Sequence, residues 1–556
     1  MIKSSSFSRT LAAIFFGTVV CIGAFHEYLS CFVSVVLSIL LIVFCIFNKK
    51  MLVQFDLTSV FLYITVSLYG LSSLWAIDSG MALVGFFKFL PLVLFAMALM
   101  QLSCREYILK LLPYFASLLT IVTAICSFIA PISEHFLVAG RFSGSFQYPN
   151  TFALFLLISE LLLISKCALN KWDVASILVL LSGIVYTGSR TVFVLTVVAN
   201  VAIVYFTKSG KTKLIFSGVI ILTLALASAY GFIFGGVFNR LTEISLNEST
   251  FIGRILYFVD ALPQVLSHPF GLGYMGYYYI QPTFQSGVYS VAYAHNDLLQ
   301  LMLDVGWIPA LLFIVVVFKK VFSKSTSVSR KIIILTYFSH CCFDFDLQFI
   351  AVFFLGILLL GDDALKPYEL HKKTVMCCTV SVIFAISSLY MGIALALSRC
   401  GKLEASRTLY PYYTSNNIKL MSKITDWDEL RKLSDEVHGQ NEELLLPLCV
   451  DARYAYSKGD FGTLISVKRE IIKRAPFAYQ EYEEYAFMLI KGIELYTKAG
   501  DRGSAKICAS ELISLRQQLR DVESKLSGMG KKIKDQPILE FPESVETYID
   551  SLEAAK

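Results

Sequence analysis

The chain has 556 residues, 56% of them hydrophobic and 16% charged, with a formal net charge of +6 and a mean hydropathy of +0.65. So apolar a composition excludes an ordinary soluble protein and indicates a polytopic membrane protein. The positive balance is not a nucleic-acid footprint, because no basic stripe with interleaved aromatics occurs.

The basic start, Met1 to Arg9, runs into an apolar stretch without a small-residue cleavage site and reads as a retained first span. Spans of about 20 apolar residues are expected at roughly 11–26, 29–47, 57–76, 80–100, 108–130, 150–166, 172–188, 191–207, 214–236, 297–318, 331–344, 347–361 and 374–398. That gives an all-α transmembrane bundle over residues 1–398 with about 12–13 spans. Folding the chain this way sorts its basic residues. One set of loops holds Lys49, Lys50, Lys166, Lys171, Lys208, Lys211, Lys213, Lys319, Lys320, Lys324, Lys331, Lys372 and Lys373. The opposite loops hold no lysine but carry Arg141, Arg190, Arg240 and Arg254. The positive-inside rule makes the lysine side cytoplasmic and cannot explain arginines outside. Arginine suits two-point contact with phosphate oxygens, so a phosphate-bearing ligand is expected at the outer face.

Two outer loops stand out. One, Pro131 to Pro149, contains "GRFSGSFQYPN". The other, 235–296, is too apolar and aromatic for a linker. Within it "TFIGRILYFVDALPQVLS" places Ile252, Ile255, Leu256, Val259, Leu262 and Leu266 at helical spacing, as an interfacial or bundle-packed amphipathic helix would. "PFGLGYMGYYY" follows, with glycines for sharp turns and tyrosines suited to a membrane boundary. The tail, 399–556, is charged and helix-prone. "YAYSKGDFGTLISVKREIIKRAP" and "LYTKAGDRGSAKICASELISLRQQL" resemble each other about 40 residues apart, which points to a soluble helical, tetratricopeptide-like domain. An ordinary helical bundle is the simpler alternative. Cys449 and Cys508 could bridge if the tail is extracytoplasmic.

Candidate residues each carry a plain structural alternative. Arg141 could clamp phosphate or snorkel to headgroups, and Asn150 could bind ligand or cap a helix beginning at Thr151. Arg190, between two short spans, faces a cavity or pairs with Asp344 or Asp346. Arg254 and Arg240 could be solvated charges. Lys88, inside the apolar "VGFFKFLPLV", snorkels or faces a polar cavity. His295 precedes Asn296 and Asp297. Histidine can take a proton from a hydroxyl near neutral pH, while Asn296 or Asp297 would cap the next helix. The remaining histidines and the cysteines form no metal-spaced set, and no nucleotide-binding glycine loop is present, which argues against an ATP-driven pump.

In order, "GRFSGSFQYPN", "TGSR", "FIGRILYFVDALPQVLSHPFGLG" and "AHNDLLQLMLDVGWIPALLF" resemble the signatures of the O-antigen ligase and polymerase superfamily. The resemblance covers roughly residues 50–361. It implies a GT-C-type helical bundle acting at the outer face of the inner membrane on polyprenyl-diphosphate-linked oligosaccharide, with no nucleotide sugar, metal or other cofactor. It implies that Arg190 and Arg254 hold the diphosphate and that His295 assists the acceptor hydroxyl. Lys88, Arg141, Asn150 and Asn296 would line the substrate site. The expected reaction is inverting transfer to, or polymerisation on, a glycan or lipid acceptor during surface-polysaccharide assembly. Transfer to protein, a lipid-linked oligosaccharide flippase or transporter, and a membrane-anchored interaction protein that works through its tail are the alternatives; in the enzyme reading the tail could still bind a protein partner.

Overall fold

The computed structural model describes residues 4–102, 104–210, 213, 216–218, 221, 225, 248–361, 368–370, 374–533, 536 and 539–554. The expected span at 214–236 lies almost wholly outside the described residues, and Arg240 lies outside them.

Among the described residues the structure is mainly helical, with two short two-stranded pairings as its sheet. Among the described residues six helices are long and apolar enough to cross a membrane: Glu27–Asn48, Leu57–Leu74, Ser79–Leu102, Arg105–Cys126, Arg190–Thr207 and Val375–Arg399. Ser6–Val20, Pro149–Ile164 and Ile350–Leu360 are shorter apolar helices. Other expected spans are also short, such as Lys171–Thr187 and Val328–Cys341, of 17 and 14 residues. Short length is tolerated where protein rather than lipid surrounds the helix. Every residue of Ile350–Leu360 is buried, and nearly every residue of Pro149–Ile164. Aromatic pairs help fill the core: Phe95 stacks on Phe354 at 4.0 Å, Tyr69 on Phe89 at 4.3 Å, and Phe61 on Phe313 at 5.4 Å.

The helices run between two ends, and these ends separate the charges as the loop sorting predicts. At one end Lys50 pairs with Glu369, Lys166 with Asp173, and Lys320 donates to the Gly361 carbonyl. Arg141, Arg190, Arg254 and His295 gather at the other.

One expected span is divided. The stretch 297–318 forms Asp297–Val305 and Trp307–Phe322, broken at Gly306. Gly306 has φ +86°, and a Cβ there would lie 2.3 Å from the Pro269 carbonyl oxygen, so only glycine lets the chain turn against that backbone. The amphipathic helix is present as Ser249–Ser267, but its inward face differs from the expected stripe. Ile252, Leu256, Asp260, Ala261 and Val265 are buried, whereas Val259, Leu262 and Leu266 are exposed. The helix is rotated because Asp260 turns inward, accepting from Ser286 N at 2.8 Å, Ser286 Oγ at 2.7 Å and Tyr289 Oη at 2.9 Å.

The tail is helical and docks on the arginine-bearing end. Asp78 accepts from Thr414 Oγ1 at 2.5 Å and Asn441 Nδ2 at 3.3 Å, and Tyr410 Oη donates to the Gly80 carbonyl at 2.9 Å. Ser527 N donates to Ser286 O at 2.9 Å, and Val288 exchanges two bonds with the Gln536 amide. The two similar stretches form helix hairpins of one construction, Leu445–Ser457 with Phe461–Arg474 and Tyr479–Lys498 with Arg502–Lys525. In each, a left-handed glycine (Gly459, Gly500) precedes an aspartate that caps the second helix, Asp460 to Thr463 N and Asp501 to Ser504 N. Cys449 and Cys508 are both free thiols, buried in the hydrophobic cluster that these hairpins share.

Candidate functional site

Tight turns place the basic residues. Leu137–Val138 pairs antiparallel with Arg141–Phe142 across Ala139 and Gly140, whose φ of +51° and +74° suit a two-residue hairpin turn. The turn aims Arg141 back at the bundle. Its Nε donates to the Thr187 carbonyl at 2.6 Å and its Nη2 to Asn150 Oδ1 at 2.9 Å. Thr187 ends one helix. Gly188 (φ +59°) and Ser189 then redirect the chain so that Arg190 opens the next. Arg190 meets Glu248 at two points, Nη1 to Oε2 at 2.9 Å and Nη2 to Oε1 at 3.1 Å. The partner is thus Glu248 and not Asp344 or Asp346, the pairing that stood as the alternative to a cavity-facing Arg190. The redirected chain faces Arg190 to the start of the Ser249–Ser267 helix, and it is Arg254, on that helix, that reaches Asp344, at 3.0 Å.

Asp344 is the hub. It is fully buried in the turn between Val328–Cys341 and Ile350–Leu360. Its Oδ1 accepts from Tyr148 Oη at 2.9 Å and Phe345 N at 3.0 Å and lies 3.3 Å from His295 Nδ1. Its Oδ2 accepts from Arg254 at 3.0 Å and Asn150 Nδ2 at 2.9 Å. Burial alone would raise the Asp344 carboxyl, but Arg254 and then His295 outweigh it and hold it well below the usual carboxylate range. The Arg190 contact likewise lowers the Glu248 carboxyl.

One cavity of about 630 Å³ joins these groups, lined by Arg141, Tyr148, Asn150, Arg190, Glu248 and Arg254 and, on its apolar side, by Val194, Leu195, Phe251 and Phe343. The first turns of three helices also reach it: Pro149–Ile164, Arg190–Thr207 and Ser249–Ser267. None of the three has a side-chain cap bond. The positive end of the helix dipole favours an anion at each of these starts. Among the described residues, three guanidinium groups stand against the carboxylates of Glu248 and Asp344.

His295 does not line the cavity and meets it through Asp344. Its backbone is left-handed, φ +51°, an uncommon state for a residue with a side chain. Both flanks pin it: Ala294 N donates to Gln300 Oε1 at 2.9 Å, and Asn296 Oδ1 accepts from Leu298 N and Leu299 N at 3.0 and 3.1 Å. Asn296 is therefore a helix cap and not a wall of the cavity. Asn150 is the reverse case. Its helix starts at Pro149, and its amide bonds Arg141, Tyr148 and Asp344 rather than backbone. Lys88 neither snorkels nor faces the cavity. It is fully buried, donating to Tyr274 Oη at 3.0 Å and Tyr293 Oη at 3.3 Å, with its ammonium 5.0 Å from the Phe25 ring.

Sequence reasoning missed Glu248 and Tyr148; Asp344 was expected as a structural partner of an arginine, and it is one, of Arg254. The usable signal was a carboxylate beside each turn at the lysine-free end. Asp297, Cys341 and Asp346 bring ligand atoms within 4.8 Å of one another. Their oxygens already have protein donors: Thr151 and His340 on Asp346, and Leu347 N on Asp297. The cluster reads as an internal network under the site.

Residues 175–314 match the family model described as O-antigen ligase. The match contains Arg190, Glu248, Arg254 and His295, whereas Lys88, Arg141, Asn150 and Asp344 lie outside it. No curated protein matches the chain.

Proposed function

We propose, from the match of residues 175–314 to the O-antigen ligase family model, that this membrane-embedded protein transfers oligosaccharide from a polyprenyl-diphosphate donor, at the extracytoplasmic face, during surface-polysaccharide assembly. The carrying observation is the cavity itself. Arg141, Arg190 and Arg254 and three helix N-termini converge on a space that Tyr148, Asn150 and Glu248 also line and that Val194, Leu195, Phe251 and Phe343 make apolar on one side. Such a site accommodates a diphosphate with a hydrocarbon tail.

In this reading an acceptor hydroxyl attacks the anomeric carbon from the side opposite the diphosphate. The new carbon–oxygen bond forms as the sugar–phosphate bond breaks, and the configuration inverts. The bonding pair departs with the polyprenyl diphosphate, which gains a negative charge as it leaves. Arg190 and Arg254, fixed before the reaction, stabilise that charge, and guanidinium groups rather than a divalent ion supply the counter-charge. With Nδ1–H directed at Asp344, His295 keeps Nε2 as acceptor for the hydroxyl proton, a contribution of about 10²–10⁴-fold in rate. Asp344 holds His295, Arg254 and Asn150 on one carboxylate, so base and anion clamp keep a fixed spacing.

The test is Arg190→Ala and His295→Ala in the native host, with surface glycan chains examined on a gel. Loss of chain elongation or attachment in both variants is expected. Unchanged length and attachment in both would defeat the proposal.

A further inference from the structure

The two carboxylates that meet the cavity's arginines are held very differently. Asp344 is fully buried and receives donors on both oxygens from several directions, which makes it a fixed strut. Glu248 has 29% of its side chain exposed and lines the cavity beside Arg190, whose side chain is 19% exposed. Both of its oxygens sit on the two terminal guanidinium nitrogens of Arg190, at 2.9 and 3.1 Å. That is the two-point contact a phosphate makes with arginine. Thr250 Oγ1 donates to Glu248 Oε2 at 3.2 Å, and Glu248 stands at the start of a helix with no side-chain cap bond. A displaced carboxylate therefore keeps a hydroxyl partner and stays at the positive end of the helix dipole.

We infer that Glu248 is an internal competitor for the anion site: its carboxylate occupies the Arg190 fork between turnovers, gives way to an entering diphosphate, and returns to help release the diphosphate product. The inference rests on the reading of the cavity as a diphosphate site. It answers a problem which that reading creates. The leaving group departs with more charge than it carried when bound to sugar, so a site that only attracted anions would hold its product. A tethered carboxylate weakens binding of donor and product alike and favours turnover when release limits the rate. Glu248 touches the ligand's partner rather than the reacting atoms.

The test uses the full chain in nanodiscs and inorganic pyrophosphate as the probe, comparing wild type, Glu248→Gln, Arg190→Ala and the double variant. Glu248→Ala serves as a second version of the carboxylate deletion. Glu248→Gln should bind pyrophosphate about two- to fivefold more tightly, the range for losing one part-exposed ion-pair competitor. Arg190→Ala should bind it more weakly, and in that background Glu248→Gln should have no further effect. In turnover, Glu248→Gln should lower KM and kcat together. The inference is overturned if both carboxylate deletions bind pyrophosphate no more tightly than wild type. It is equally overturned if the tightening persists without Arg190, since the effect would then be general charge and not competition for the fork. Equal pyrophosphate binding by wild type and Arg190→Ala is a separate result, and it removes the diphosphate reading itself.

Discussion

Replacing Asp344 by asparagine keeps the shape of the side chain and removes one acceptor. Every neighbour of the carboxylate is a donor. Oδ1 faces Tyr148 Oη, Phe345 N and His295 Nδ1, and Oδ2 faces Arg254 and Asn150 Nδ2. An amide NH₂ at the first position opposes three donors, and at the second it opposes a guanidinium and another amide. Neither orientation restores the network. Asp344 has no exposure and Arg254 only 17% on its side chain, so the loss resembles breaking a buried pair by removing one partner. That costs about 3–5 kcal/mol. Activity should fall by about 100-fold or more, because His295 loses the acceptor that orients it and Arg254 its anchor. Purified Asp344→Asn would be compared with wild type by thermal unfolding in detergent, and in cells by surface glycan length. A variant within about threefold of wild-type activity and with unchanged unfolding would refute the argument that Asp344 organises the site.

The carboxyls of Glu248 and Asp344 both titrate below their ordinary values. The stability they give is therefore complete above about pH 4, the unfolded carboxylate range, and is lost only as pH falls further through the folded values. The difference in melting temperature between wild type and Asp344→Asn should stay constant from about pH 7 to pH 5 and shrink below about pH 4. Shrinkage already between pH 7 and 5 would contradict the assigned direction. Lys88→Met removes the donor to Tyr274 and Tyr293 and should cost about 1–3 kcal/mol. It should lower activity further, since Tyr293 lies just before His295 and packs on Phe345 at 5.3 Å. Wild-type turnover in a folded Lys88→Met would exclude that link. A Cβ on Gly530 would lie 2.5 Å from the Ser286 carbonyl oxygen, so Gly530→Val should loosen the tail from the 286–288 loop at a cost of about 1–3 kcal/mol. Faster limited proteolysis between residues 527 and 536 checks it, and an unchanged cleavage pattern would count against it.

The separation of lysines from Arg141, Arg190 and Arg254 to opposite ends of the bundle was legible, because lysine placement follows a composition rule that needs no contacts. The paired tail hairpins were legible for a similar local reason, since glycine and a capping aspartate define the turn within a few residues. Partner choice was not. Arg190 sits two residues after a left-handed glycine, and that turn sends it to Glu248 instead of Asp344. Asn150 followed the capping pattern yet bonds three side chains, because proline at the first helical position leaves it inside the helix. Lys88 suggested a cavity from its depth alone, but tyrosine hydroxyls from a segment about 200 residues away satisfy it. The break at Gly306 arises from the close approach of Pro269, a contact that hydropathy does not encode.

The most direct measurement is a cryo-electron microscopy structure of the full chain in nanodiscs with bound polyprenyl diphosphate. The account predicts diphosphate density in the cavity, with oxygens within hydrogen-bonding distance of both Arg190 and Arg254, and the Glu248 carboxylate turned away from Arg190. Density bound elsewhere, with the Arg190–Glu248 and Arg254–Asp344 pairs undisturbed and no anion between them, would contradict it.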